Sequence, residues 1–230
     1  MDSGRSITSD ENTRASLKKI AAEKPRYLFR AWDRCSGGDA RLNTTSAITP
    51  SALLDTDASP SFDNIPLAQL AASAQMHLQG CQSGPQGRFK SYFSSWSHSL
   101  HTVIHSFAWP YMNRGHWKDL HLSMIDTDKI GADVMFLYVP AMEVLSSHYS
   151  GLATWHYSHE FLAFRVVSGE ALQSGSFRNW WNKMYSGVLC LQTQTPSDVV
   201  AQALDFGASG LVGAEAEYVK GDVIARPFQG

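Results

Sequence analysis

Three polar residues stand in runs where polar residues are expensive. Arg30 lies in the bulky stretch Tyr27-Leu28-Phe29-Arg30-Ala31-Trp32, Ser94 closes the alternating aromatic and polar stretch that starts at Phe89, and Glu160 precedes the apolar run Phe161-Leu162-Ala163-Phe164. A guanidinium beside a buried strand needs an acceptor, which is either an ordinary ion-pair partner such as Asp33 or a bound anion. A serine between a strand and a helix serves as well in a cap, through Ser95 or Ser97, as in a binding site. A carboxylate at the start of a strand faces solvent or points into a cleft. Taken singly, each residue has a plain structural role.

Histidine spacing offers a second chemistry. His98, His101 and His105 stand at i, i+3 and i+7 in a segment read as helix, so they share one face. Three imidazoles on a face can ligate a metal, and with Glu160 they would make a metal-dependent hydrolase. The alternative is that they line a groove or stand half exposed. His156 and His159 lie beside Glu160. Other chemistries lack their marks: there is no Walker A loop, no G-x-G-x-x-G after a strand, no H-E-x-x-H, no paired C-x-x-C and no G-x-S-x-G.

The elements that must hold these residues follow from pattern. Residues 1–24 are polar and are read as a mobile or partly helical segment, with a short helix over 12–23 ended by Pro25. Residues 25–230 are read as one domain. A buried strand covers 27–32, a turn follows to Asp39, and loop continues to about Asn64. Leu67, Leu70, Ala74 and Leu78 set a helix over 65–79. A short strand over 89–94 leads into a helix over 97–109, closed by Pro110. Strands are expected at 120–126, 134–139 and 161–167, with a helix from Pro140 through Leu145 and another over 177–185. Thr195-Pro196-Ser197-Asp198 starts a further helix, between an extended stretch at 188–192 and a last strand at 216–224. Strands and helices mix without regular alternation, which predicts an α+β fold.

Composition narrows the function. Of 230 residues, 43% are hydrophobic and 17% charged, which excludes disorder across the whole chain. A net charge of −2 gives no surface that tracks phosphates, so nucleic acid is not the expected partner. Cys35, Cys81 and Cys190 are odd in number and widely spaced, and are read as reduced thiols. The polar start without an apolar segment, and the lack of any run near the roughly 20 apolar residues of a membrane helix, predict a cytoplasmic chain that does not enter a membrane.

In this order the three polar residues resemble a family. F-R-A-W-D-R-C-S-G-G resembles the first strand and loop of ADP-ribosyltransferases of the cholera toxin and heat-labile enterotoxin type, where a Y-R-A-D-S-R-like motif binds NAD. Y-F-S-S-W-S-H-S-L resembles the family's Y-V-S-T-S motif, and S-H-E-F-L-A-F resembles the strand with its catalytic glutamate. The resemblance spans roughly residues 26–170. The chain is also similar to a group of uncharacterised fungal proteins with L-F-R, S-x-W and E-Y/F-L signatures.

The resemblance implies an α+β, ADP-ribosyltransferase-like fold, a split mixed or antiparallel β core with flanking helices. It implies an NAD-cleaving glycosyltransferase that moves ADP-ribose to a protein, a small molecule or water. A non-catalytic interaction domain on the same fold is the other outcome it allows. Arg30, Ser94 and Glu160 match the family's catalytic trio, and Arg30, Ala31, Asp33, Tyr92, Ser94, Ser95 and Trp96 fall where it contacts NAD. The sequence departs from the pattern at Trp96, where the family has serine. It departs again at Ser158, where arginine-modifying members carry Glu or Gln, so arginine is not implied as the acceptor. The chemistry suits the trio. Breaking the nicotinamide–ribose bond builds positive charge on the ribose, which a carboxylate stabilises. A hydroxyl on that carboxylate fixes its orientation, and a guanidinium suits the pyrophosphate. One geometric expectation follows: Ser94 should lie within hydrogen-bond reach of Glu160.

Overall fold

The computed structural model describes residues 4–34, 36, 39–56, 60–79, 90–113, 118–149 and 159–182. The chain starts with helix α1, Gly4–Ala22, and enters strand β1, Tyr27–Trp32. After the short strand β2, Ala47–Ile48, comes helix α2, Leu67–Leu78. Leu67, Leu70, Ala71 and Ala74 recur at helical spacing and form its buried stripe. Strand β3, Phe93–Ser97, leads into helix α3, which has three parts: Leu100–Thr102, a π-helical turn at Val103–Ala108, and Trp109–Asn113. Strands β4, His121–Asp126, and β5, Met135–Leu137, precede helix α4, Val139–Ser146. Strands β6, Glu160–Phe164, β7, Val167–Ser168, and β8, Leu172–Ser176, follow, and residues 177–182 begin another helix.

Six strands form an antiparallel sheet in the order β5-β6-β3-β1-β4-β8, while β2 and β7 pair separately. The fold is α+β, as the mixed pattern predicts. One face of the sheet packs Phe93, Leu162 and Phe164 against α1, α2 and α4, and Phe29, Leu122 and Met124 against α3 and Trp180. The opposite face buries Leu28, Trp32, Trp96, Ile125 and Phe161 with Ile48 and Val167 of the small β2–β7 pair. The two halves of the sheet meet weakly. β1 and β4 stay in register from Tyr27↔Asp126 to Trp32↔His121, but β1 and β3 share only Phe29↔Ser97. Beyond that pair the ladder stops, and backbone groups of β3 are left for side chains.

Several boundaries differ from the sequence reading. Ser94 is the second residue of a strand that runs on to Ser97, and the cap of α3 is Ser99, whose hydroxyl accepts from the Thr102 N–H at 3.1 Å. Ser97 instead accepts from the Ser99 N–H. Pro110 does not close α3. Proline lacks an N–H and its ring collides with the carbonyl four residues back. The π turn just before it shifts the bonding, so that the Trp109 N–H reaches Ile104, and the helix passes through. Strand β6 ends at Phe164 because Arg165 takes a left-handed φ of 79°, and the chain then turns to pair β7 with β2. The strand expected over 134–139 is shorter, since α4 starts at Val139 with Pro140 in its first turn. The expected elements at 188–192, 195–206 and 216–224 lie outside the described residues.

Candidate functional site

Arg30 is in β1, Ser95 in β3 and Glu160 at the start of β6, and these three strands are neighbours in the sheet. The guanidinium fills the place where the β1–β3 ladder stops. Its Nη1 donates to the Ser95 carbonyl at 2.7 Å, a backbone acceptor that β1 does not use, and its Nη2 donates to Asn43 Oδ1 at 3.2 Å. Its Nε is buried without a hydrogen-bond partner. Burial pulls Arg30 down to about 10, against the pull of Tyr111 and Glu160, so it remains a cation at neutral pH. Arg30 therefore meets Ser95 and Asn43 rather than Asp33. Asn43 is buried and fixed in turn by its Nδ2, which donates to the Ser36 carbonyl at 2.7 Å.

The carboxylate is held from the other side. Burial raises Glu160 above the usual carboxylate range, while a hydrogen bond from Ser95 and the charge of Arg30 pull it back. His77, from the last turn of α2, places its Nε2 2.7 Å from Ser95 Oγ. Burial, then the charge of Arg30, lowers His77 to about 3, so the ring is neutral at physiological pH. The proton order follows. When Glu160 is ionised it only accepts; Ser95 then gives it its single hydroxyl proton and accepts from His77 Nε2–H. The chain His77–Ser95–Glu160 thus runs beside the Arg30 cation.

The sequence places these residues in a family as well. The profile of the domain of unknown function DUF7587 matches residues 23–177, about two-thirds of the chain. This chain belongs to the DUF7587 family. No curated protein and no solved structure matches it. The DUF7587 span contains Arg30, Asn43, His77, Ser95 and Glu160, and leaves out α1.

Of the trio read from the sequence, the DUF7587 domain brings Arg30 and Glu160 together but not Ser94. Ser94 and Trp96 lie on the opposite face of β3, where Ser94 Oγ accepts from Trp96 Nε1 at 3.0 Å. A strand turns successive side chains to opposite faces, so moving one residue along it exchanges the two roles. Ser95 is the serine on Glu160. Trp96 is 2% exposed and belongs to the core, so it does not wall a pocket. Tyr92 packs toward α2, where its hydroxyl accepts from Gln69 Nε2 at 3.0 Å. Ala31 faces the α3 side of the sheet, and Asp33 Oδ1 accepts from Ser36 Oγ at 2.8 Å in the loop after β1. Ser158 lies outside the described residues.

The histidines do not form a trio. His98 precedes α3 and its ring centre is 5.4 Å from that of His159, whereas His101 and His105 pair with each other at 4.3 Å. Among the described residues no group of three His, Cys, Asp or Glu gathers to hold a metal. His77 and Asn43 escaped the sequence reading. His77 sits on an apolar helix, and Asn43 sits in a Ser/Thr-rich loop where nothing sets one amide apart.

Proposed function

We propose that this domain cleaves NAD at the nicotinamide–ribose bond and passes ADP-ribose to an acceptor or to water. The observation that carries the reading is the convergence of Arg30, Ser95 and Glu160 from three adjacent strands, with Ser95 hydrogen-bonded to the carboxylate. The resemblance of the flanking motifs to NAD-cleaving ADP-ribosyltransferases supports it, as does a sheet whose halves share one registered pair. Glu160 would stabilise the positive charge that grows on the ribose as nicotinamide leaves. Ser95, held by neutral His77, would keep the carboxylate aimed. Arg30 would meet the pyrophosphate with the Nη N–H groups that its bonds to Ser95 and Asn43 do not use. A hydrolase built on His98, His101, His105 and Glu160 draws no support, because those rings pair off separately.

The test is nicotinamide release from NAD, followed by chromatography. Wild type should release it, and Glu160→Gln should lose about 100-fold or more in kcat while still binding NAD by calorimetry. A wild type that neither releases nicotinamide nor binds NAD overturns the proposal.

A further inference from the structure

His98 and His159 flank the last registered pair of the β3–β6 ladder. Ser97 is opposite Glu160, His98 follows Ser97, and His159 precedes Glu160. Their ring centres are 5.4 Å apart and the planes are tilted by 43°. Two imidazoles bound side by side to one ion, each nitrogen about 2.0–2.1 Å from it at a tetrahedral angle, hold their ring centres about 5 Å apart. The pair therefore already has the separation that one ion would impose. His101 and His105, at 4.3 Å, are in closer ring contact along one helix.

The His98 ring is also held in place and left chemically free. The edge of Phe161 packs on it with centres 5.8 Å apart, and Tyr138 stacks on Phe161 from behind at 5.2 Å. Its Nδ1 is buried and has no hydrogen-bond partner among the described residues.

We propose that His98 and His159 form a two-imidazole site for a divalent transition-metal ion. Imidazole nitrogen suits Zn²⁺, Ni²⁺ and Cu²⁺ and not Ca²⁺ or Mg²⁺. No third protein ligand gathers among the described residues, so water would complete the shell. The ion would tie the ends of β3 and β6 together beside the Ser97–Glu160 pair. It is a structural clamp and stands independently of NAD cleavage.

The experiment uses the full chain, stripped with EDTA and titrated with Zn²⁺ and then Ni²⁺ against a chromogenic chelator. One ion per chain should bind in the micromolar range. Zn²⁺ at a hundredfold excess over Kd should raise Tm by about 5 °C or more. His98→Ala and His159→Ala should each weaken binding at least tenfold, and His101→Ala with His105→Ala should not. His159 is exposed, so its replacement leaves the fold intact and the test stands even if His98→Ala does not fold. Binding no tighter than millimolar, or micromolar binding that survives His159→Ala, overturns the proposal.

Discussion

Ser94 and Ser95 are neighbours in the chain with separate tasks. Ser95 stands between His77 and Glu160, and Ser94 accepts the indole N–H of buried Trp96 on the far face of β3. Removing either hydroxyl leaves a buried donor without its acceptor, at a cost of about 1–3 kcal/mol. Only Ser95 touches the carboxylate. Ser95→Ala should therefore lower kcat for NAD cleavage by about 10- to 100-fold, and Ser94→Ala should lower stability by about 1–3 kcal/mol with kcat unchanged. Denaturant melts and nicotinamide release on both variants check this. If Ser94→Ala is the variant that loses kcat, the assignment of Ser95 is wrong. The neighbourhood of the serine was legible in the sequence, but the residue was not. A motif fixes a stretch of strand, whereas the pleat decides which of two adjacent serines faces the cleft, and that depends on register with β1 and β6.

At the scale of elements, α2 delivers His77 to the sheet. Its apolar stripe was readable at 3.6-residue spacing and sets which face packs inward. The use of His77 was not readable, because a histidine near the end of a helix looks the same whether it meets water or a serine. Helix α3 shows the converse. Pro110 signalled an end that the π turn removes, since the sequence gives no sign of bonds shifting to the residue five back. His77 also makes α2 sensitive to pH. Its folded value of about 3 lies below the ordinary 6.5, so between those limits the unfolded chain binds a proton that the folded chain refuses. Stability that is present above pH 6.5 is thus lost as pH falls toward 3, by at most about 1.4 kcal/mol per pH unit. His77→Gln keeps a donor near Ser95 but does not titrate. The difference in unfolding free energy between His77→Gln and wild type, measured from pH 7 to 4, should shift in favour of the variant as pH falls. A constant difference would mean that His77 is not held neutral.

At the scale of the molecule, the question is where the folding unit begins. The family match starts at residue 23, after α1, and the polar sequence of residues 1–24 points to a mobile or partly helical segment. Yet α1 runs from Gly4 to Ala22 and buries Leu17 completely in the cluster shared by α2, α4, β5 and β6. Arg14 secures it by donating to the carbonyls of Phe62 and Ile65 at 2.7 and 2.6 Å, and Lys18 pairs with Asp63 at 2.8 Å. The stripe was hard to see because, among the described side chains, Leu17, Ile20 and Ala21 supply its apolar part, and most of the positions between carry polar residues. A fully buried leucine is costly to truncate even in so polar a helix. Leu17→Ala should cost about 2–5 kcal/mol, whereas Lys18→Ala, which removes an exposed ion pair, should cost less than about 1 kcal/mol. Urea unfolding separates the cases, with an unchanged m-value expected if the chain still unfolds as one unit. A Leu17→Ala variant as stable as wild type would mean that α1 is an appendage. A loss in the expected range would mean that the helix outside the matched span closes the core on which β3 and β6, and with them Ser95 and Glu160, are supported.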